Sequence, residues 1–195
     1  LLEIAGKPIL QHHVELCLKH GITDIFINTS HLAEKIRTFL GDGERFGVNI
    51  QYSYEPELLG TAGALNNFKQ ELQAGPFLVM YTDNLTDFSL TEILEFHQRK
   101  HGIATVALSM KEDVSMSGIA VLDEHGRVLR FIEKPNVREE ESHLVNAGIY
   151  VLSPRIFLYI PRGFSDFGRD IFPALISNGE EVFGIVMKGQ FLAID

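Results

Sequence analysis

Apolar residues in this chain recur with two alternating periods, two residues in some segments and about 3.6 residues in others. A period of two is typical of strands with one buried face, and a period near 3.6 is typical of amphipathic helices. Segments of the two kinds follow one another along the whole chain, and no linker separates them. The pattern therefore predicts one continuous α/β domain.

The predicted elements follow from these periods and from the turn residues between them. Pro8 suits the first turn of a helix that Gly21 closes, and Asp-Glu-His-Gly at 123–126 predicts a β-hairpin. The later strands are expected to add antiparallel pairs to the sheet. The predicted helices span 8–20, 32–40, 65–72, 91–101 and 170–176. The predicted strands span 24–29, 48–52, 77–81, 104–110, 118–122, 128–132, 145–152 and 182–187.

The charge balance excludes some classes of partner. The chain has 195 residues, with 17 Lys and Arg against 26 Asp and Glu, and its formal net charge is −9. A nucleic-acid binder or an anionic-membrane binder would show a basic stripe, so we expect neither partner. A few local donors and a metal ion could still hold the phosphates of a nucleotide.

The single cysteine, Cys17, cannot form an intramolecular disulfide or a CxxC zinc site. This usage is typical of a reducing compartment, so we expect a cytoplasmic protein. No apolar run approaches the ~18 residues of a membrane span. The sequence also lacks the glycine-rich signatures of dinucleotide-binding and P-loop proteins and the G-x-S-x-G elbow of α/β-hydrolases.

Asp83 follows the apolar run Phe77-Leu78-Val79-Met80-Tyr81, which predicts a strand buried on both faces. In open α/β sheets, ligands bind just outside the carboxyl ends of the strands. A carboxylate there can hold Mg²⁺, with water and substrate phosphates completing the coordination shell. Asp is also favoured in turns, so a metal ligand and a turn residue are equal alternatives at this position.

Gly60-Thr61-Ala62-Gly63 precedes a predicted helix. Glycines let the backbone approach a ligand closely, and a helix N-terminus offers unpaired N–H groups to an anion or to a base edge. The alternative for this short motif is a loop that caps the helix.

Polar residues also occur at the end of one predicted strand and inside another. Lys134 suits a phosphate and Glu133 can accept hydrogen bonds from sugar hydroxyls, with a solvated ion pair as the alternative. Asn146 and Gly148 interrupt a run rich in β-branched residues. They indicate either close approach of a ligand or a β-bulge.

Taken in order, these pieces resemble the sugar-1-phosphate nucleotidyltransferase family, which includes mannose-1-phosphate guanylyltransferases and glucose-1-phosphate thymidylyl- and uridylyltransferases. The matching pieces are LGTAGAL at 59–65, a strand and TDN at 77–84, FIEKP at 131–135 and VNAGIY at 145–150. DIFPAL at 170–175 and GQFLAID at 189–195 match more loosely. The resemblance covers essentially the whole chain. It implies one nucleotidyltransferase domain over 1–195, a Rossmann-like, mixed, mostly parallel sheet flanked by helices, of the nucleotide-diphospho-sugar transferase type.

The resemblance also implies an activity, in which an NTP and a sugar 1-phosphate give an NDP-sugar and pyrophosphate. The sugar-phosphate oxygen attacks the α-phosphorus in line, with Mg²⁺ as the cofactor and no protein nucleophile. Overall resemblance favours GTP with mannose 1-phosphate or a related sugar. The expected partners are these two substrates, and a homo-oligomer is left open.

Carried over position by position, the resemblance implies a role for each motif residue. Asp83 and Lys134 would be catalytic, Asp83 by binding Mg²⁺ and Lys134 by holding the sugar phosphate. The nucleobase would lie against a wall read largely through its backbone groups, formed by Gly60, Thr61 and Gly63. The sugar would contact Gly118, Glu133, Asn146 and Gly148.

Two departures from the family pattern affect these expectations. The glycine-rich G-x-G-T-R-L-x-P-L-T loop and its subsequent Pro-Lys are missing, and residues 1–8 resemble the family segment directly after that Pro-Lys. We therefore expect a domain truncated by about one strand and one loop at its N-terminus, poorly active as given, with a truncation after Asp195 left open. The second departure is Ala193, which stands where the family usually has another metal-binding Asp. Asp195 would share its side of a strand and is the candidate substitute, with a capping role as the alternative.

Other functions are weighed against this one. A catalytically silent, nucleotide-sugar-binding regulatory subunit of the same fold is the main alternative, favoured by Ala193. A metal-dependent glycosyltransferase would need an Asp-x-Asp motif, which Asp83-Asn84-Leu85 lacks. A purely structural domain would have little reason to place glycine, asparagine and paired charges at strand ends.

Overall fold

The computed structural model describes residues 2–135 and 141–194 of the chain. Its strands are β1 (Glu3–Ile4), β2 (Lys7–Pro8), β3 (Asp24–Thr29), β4 (Asn49–Tyr54), β5 (Phe77–Met80), β6 (Asn84–Thr86), β7 (Ala104–Met110), β8 (Gly118–Leu122), β9 (Val128–Glu133), β10 (Leu144–Leu152), β11 (Val182–Val186) and β12 (Phe191–Ala193). Its α-helices are α1 (Ile9–Lys19), α2 (Ala33–Leu40), α3 (Gly60–Gly63), α4 (Leu90–Lys100) and α5 (Phe172–Ser177). None of the helices in the described ranges is long and apolar enough to cross a bilayer.

Within the described residues, six strands form a central sheet in the order β11-β7-β10-β8-β9, and β5 pairs with β10 as well. β10 runs antiparallel to β5, β7 and β8, whereas β11 runs parallel to β7. β5, β7, β8 and β11 therefore point in one direction, and β9 and β10 point in the other. This arrangement confirms a mixed sheet in which most strands share a direction.

The long strand β10 is the axis of this sheet. One edge pairs with β7, and the other pairs with β8 through Val145 and with β5 through residues 149–152. The β7 register shifts between Asn146 and Tyr150, which confirms that a bulge interrupts the strand at the Asn-Ala-Gly sequence. The bulge lies where the partner on the second edge changes from β8 to β5.

Apolar side chains cover both faces of β10. Tyr150 and Leu152 belong to a buried cluster that includes α5, whereas Ile149 and Val151 belong to a cluster that includes α4. Successive residues of a strand point to opposite faces, so this division is what a sheet buried between two helical layers requires. The alternation explains why the sequence there reads as a nearly continuous apolar run.

The N-terminal part forms a smaller layer beside the central sheet. β3 and β4 pair in parallel and share an apolar cluster with α1 and α2, built on residues such as Val14, Leu40 and Ile50. Among residues 2–135 and 141–194, β3 pairs only with β4, and β5 pairs only with β10.

Some elements differ from the sequence predictions. The helix expected at 65–72 is replaced by the single turn α3 and short 3₁₀ turns, because glycine and paired asparagines are poor helix formers and the turn bonds to another segment. β6 and β12 were not predicted, since three-residue strands leave no readable period. Leu18 lies near the buried Val14 and Cys17 on the helical face of α1 that the apolar spacing indicates, but it is exposed.

We predict that Leu108→Ala in β7 lowers the free energy of unfolding by about 2–5 kcal/mol, because it leaves a cavity in a fully buried position. Met110→Ala, on the same strand but 65% exposed, is the matched control and is expected to change it by less than about 0.5 kcal/mol. Urea unfolding of the two variants measures both values. Equal losses in the two variants would contradict the assignment of the core.

Candidate active site

Asp83 lies in an exposed turn at the carboxyl end of β5. The backbone carbonyl of Asp83 accepts a hydrogen bond of 2.8 Å from the Ile194 N–H. β12 pairs antiparallel with β6, so Ala193 lies opposite Asn84. The turn that carries the carboxylate is therefore held by the last described residues of the chain, and Asp195 lies outside the described residues.

Gly148 brings the Asp83 turn against the bulge of β10. The Tyr81 N–H donates to the Gly148 carbonyl at 2.8 Å, and the Asn84 side-chain amide reaches the Ala147 carbonyl at 3.4 Å. Gly148 has a φ of +68°, and a Cβ there would lie 2.7 Å from Asn84 Nδ2. Only glycine fits this position, so the glycine in VNAGIY is what lets the two motifs meet.

Beside the bulge, the hydroxyl groups of two tyrosines lie next to each other. The Asn146 amide donates to the Tyr150 hydroxyl at 2.7 Å, and the Tyr150 hydroxyl bonds to that of Tyr81. The two rings meet edge to face with centroids 5.4 Å apart. Burial raises the pKa of both phenols well above the usual range, so both act as neutral hydrogen-bonding groups.

This series of hydroxyl groups leads to Thr61 in the Gly60–Gly63 turn. The Thr61 hydroxyl donates to Asp166 Oδ2 at 2.8 Å and accepts from the Phe167 N–H at 2.9 Å. The Tyr81 hydroxyl lies beside this one.

The two glycines of this turn pack against the backbone of residues 163–165. A Cβ on Gly60 would lie 2.4 Å from the Ser165 carbonyl oxygen, and one on Gly63 would lie 2.2 Å from the Gly163 carbonyl oxygen. The Ser165 carbonyl accepts the N–H groups of Ala62 and Gly63. Both glycines are thus required by close backbone packing, whatever the turn also binds.

Glu133 lies at the end of β9, between two further glycines. Its Oε2 atom lies 2.6 Å from where a Cβ on Gly118 would be and 2.5 Å from where one on Gly168 would be. Burial raises the pKa of the Glu133 carboxyl, and the neighbouring Asp166 carboxylate adds to the rise. The nearby Arg169 and Lys134 cations oppose it.

Lys134 follows directly and is exposed. Its φ of +49° is in the left-handed region, which residues with a Cβ atom rarely adopt. Its N–H donates to the Ser117 carbonyl at 3.2 Å, which ties it to the residue before Gly118. Strained backbone of this kind clusters at functional sites.

Glu55 was not singled out from the sequence. Its side chain is only 2% exposed, and its Oε2 accepts the Leu59 N–H at 3.2 Å, directly before the Gly60–Gly63 turn. Its Oε1 atom is buried and has no hydrogen-bond partner among the described residues. A buried carboxylate oxygen without a partner is costly, so this position calls for a donor that the described residues do not supply.

The donor set at Asp83 fits one kind of metal ion. The described ranges contain no group of three or more His, Cys, Asp or Glu arranged to hold a metal. Mg²⁺ needs no such group, because it keeps several waters and is commonly bound by one or two carboxylates together with substrate phosphates. An exposed carboxylate at a strand end suits Mg²⁺ that arrives with a nucleotide.

The fold therefore brings most of the sequence-predicted site residues to the β10 bulge, where β5 ends and β8 begins. Contacts through side chains link Thr61 with Asn146 and Gly148 there, and Asp166 lies close enough to Glu133, which packs against Gly118, for the two carboxylates to repel each other. Sequence reasoning missed Tyr81, Tyr150, Asp166 and Glu55. The Asp166 signal was available, since Ser-Asp-Phe before a helical turn is a typical N-cap, and its Oδ1 accepts the Gly168 and Arg169 N–H groups.

Comparison with known proteins gives a family match over nearly the whole chain, since the model of the nucleotidyl transferase family matches residues 1–191. A UTP–glucose-1-phosphate uridylyltransferase of Synechocystis sp. is 36% identical over 208 residues, covering 100% of this chain and 54% of that protein. A mannose-1-phosphate guanylyltransferase catalytic subunit beta of Danio rerio is 32% identical over 198 residues, covering 100% and 54%. The chain spans about half the length of these curated relatives.

Solved structures share the fold. A Bacillus anthracis protein assigned as a glucose-1-phosphate thymidylyltransferase, in complex with sucrose, has a TM-score of 0.88 at 26% identity, covering 99% of this chain and 79% of that one. HddC of Yersinia pseudotuberculosis complexed with GMP-PN has a TM-score of 0.83 at 23% identity, covering 98% and 82%. The second likeness concerns the fold alone.

We predict that Tyr150→Phe lowers the free energy of unfolding by about 1–3 kcal/mol, because the half-buried Asn146 amide and the Tyr81 hydroxyl each lose a partner. Tyr54→Phe, at an exposed tyrosine, is the control and is expected to cost less than about 0.5 kcal/mol. Thermal and urea unfolding measure both. A Tyr150→Phe protein as stable as the control would remove the hydroxyl network from the account.

Proposed function

The chain belongs to the nucleotidyl transferase family, and we propose that it forms the substrate-binding part of a sugar-1-phosphate nucleotidyltransferase. The reaction joins an NTP to a sugar 1-phosphate and releases pyrophosphate. The observation that carries the proposal is the meeting of four separate motifs, through Thr61, Asp83, Asn146 and Glu133, at the β10 bulge beside the carboxyl end of β5. The carboxyl end of a strand is where open α/β sheets bind their ligands.

The chemistry is a displacement at phosphorus that requires position and charge balance. Mg²⁺ held by Asp83 would neutralise charge on the α-phosphate and on the leaving pyrophosphate. Asp195, which lies outside the described residues, is the proposed second ligand, and the bond from the Ile194 N–H to the Asp83 carbonyl supports this by placing Ile194 at the turn. The protein's own task is to align the sugar-phosphate oxygen with the α-phosphorus.

The sugar 1-phosphate is proposed to occupy the Glu133 side of the site. The Glu133 carboxylate, with Gly118 beside it, would accept hydrogen bonds from sugar hydroxyls, and the adjacent Lys134 would hold the phosphate. Asn146 and Gly148 would line the pocket at the β10 bulge. The left-handed backbone at Lys134 supports this role, because strained backbone of this kind clusters at ligand-binding and catalytic positions.

The nucleobase is proposed to lie against the Gly60–Gly63 turn, next to the Glu55 carboxylate. Guanine presents two adjacent N–H donors on its Watson–Crick edge, and a carboxylate can only accept. Uracil and thymine present one N–H between two carbonyl oxygens, which a carboxylate repels. The unpartnered Glu55 Oε1 thus favours GTP, and with it mannose 1-phosphate or a related sugar.

We predict that Asp83→Asn in the full-length protein lowers the rate of pyrophosphate release at least about 100-fold. A neutral amide binds Mg²⁺ more weakly than a carboxylate and would no longer keep the ion beside the triphosphate. Asp24→Asn is the matched control and is expected to keep full activity. Asp24 is also an exposed carboxylate, but it is the first residue of β3, whereas Asp83 comes after the last residue of β5. The assay follows pyrophosphate with a panel of NTPs and sugar 1-phosphates, with and without Mg²⁺. If no pair releases pyrophosphate in the unmodified protein, the proposed function is wrong.

We predict that Glu55→Gln raises the KM for GTP about tenfold and narrows the preference for GTP over UTP, because the amide replaces an acceptor with a donor. Glu57→Gln, at an exposed glutamate two residues on, serves as the control. Steady-state kinetics with both nucleotides at saturating sugar 1-phosphate measure the change. An unaltered GTP-to-UTP ratio would remove Glu55 from base selection.

A further inference from the structure

The Gly60–Gly63 turn is bonded along its length to residues 163–169, called here the 163–169 segment. The Ser165 carbonyl accepts the Ala62 and Gly63 N–H groups at 3.0 and 3.2 Å, and the Ser165 N–H donates to the Leu59 carbonyl at 3.0 Å. The Thr61 hydroxyl adds one side-chain bond to Asp166 and one to the Phe167 N–H. The turn and the segment are therefore fixed to each other by both backbone and side chain.

The other end of the 163–169 segment lies against Glu133. A Cβ atom on Gly168 would lie 2.5 Å from Glu133 Oε2, so the Gly168 backbone and the Glu133 carboxylate are in direct contact. The Asp166 carboxylate is also close enough to disfavour ionisation of Glu133. A movement of the 163–169 segment would therefore change the position or the ionisation of the Glu133 carboxylate.

Two protein groups hold the Thr61 hydroxyl. A hydroxyl donates once and accepts twice. Its proton goes to Asp166, and the Phe167 N–H takes one of its two acceptor positions. Thr61 can meet a nucleobase with its backbone, but its hydroxyl serves the protein.

We propose that Thr61 is a positioning residue for the sugar: its hydroxyl, through Asp166, sets the 163–169 segment against Glu133 and so couples the nucleotide turn to the sugar side. The proposal rests on the proposed function, because it assigns the two sides to the two substrates. It differs from a base-contacting role, which would act on the nucleotide alone, and from a purely structural role, which would act on folding alone.

The experiment compares Thr61→Val, Thr61→Ser and Asp166→Asn in the full-length protein. Valine removes the hydroxyl at nearly constant shape, and serine restores it. Asparagine keeps an acceptor for the Gly168 and Arg169 N–H groups but can replace the acceptor for Thr61 with a donor. Thr38→Val, an exposed threonine on α2, is the matched control.

Thr61→Val is expected to raise the KM for the sugar 1-phosphate about tenfold, with a smaller change in the KM for the NTP. Thr61→Ser is expected to stay within about twofold of the unmodified protein, and the Thr61→Val, Asp166→Asn double variant to be no worse than the single ones. A KM change confined to the NTP, additive effects in the double variant, or an unchanged sugar KM would each overturn the proposal.

A second measurement separates failure of the coupling from failure of the proposed function. Amide hydrogen exchange without substrate is expected to lose protection at Phe167 and Gly168 in Thr61→Val and to keep it in Thr61→Ser. Unchanged protection in Thr61→Val would overturn the coupling even in an active enzyme. An unmodified protein with no turnover, but with the expected loss of protection, would overturn the proposed function and leave the physical link in place.

Discussion

The hydroxyls of Tyr81 and Tyr150 lie inside an apolar core, where an unpaired hydroxyl costs about 1–3 kcal/mol. Tyr150 accepts a hydrogen bond from Asn146 on its own strand, whereas Tyr81 lies beside Thr61, which is distant from Tyr150 in sequence. The Thr61 and Asp166 atoms that complete the network are separated by 105 positions in sequence. Satisfying these groups therefore forces the motifs that carry the proposed chemistry to meet at one place.

Glycines make this meeting possible by removing the Cβ at points of close contact. Gly148 lets the Asp83 turn reach the β10 bulge, and Gly118 and Gly168 leave room for the Glu133 carboxylate. In each case a Cβ would lie within 3 Å of a neighbouring atom. A glycine in a sequence motif can suggest that a ligand approaches the backbone closely. Here close packing between two segments of the protein already requires the glycine.

The sequence predicted the long elements well, because runs such as 104–110 and 145–152 are apolar on both faces of a buried sheet. It also predicted Asp83 at a strand end, since the carboxyl end of a buried strand can be read locally. The pair β6 and β12 escaped prediction because three residues carry no period. Glu55 escaped too: a glutamate before a proline in a polar loop gives no local sign that it is buried beside the Gly60–Gly63 turn.

The proposed function requires the Gly60–Gly63 turn and the Asp83 carboxylate to face one hollow that holds a nucleotide. The most direct measurement is a crystal structure of the protein with an NDP-sugar and Mg²⁺. The account predicts the base beside Glu55 and the turn, the diphosphate and metal at Asp83, and the sugar between Glu133 and Asn146. A nucleotide bound elsewhere, with Asp83 and the turn both without contact to it, would contradict the account.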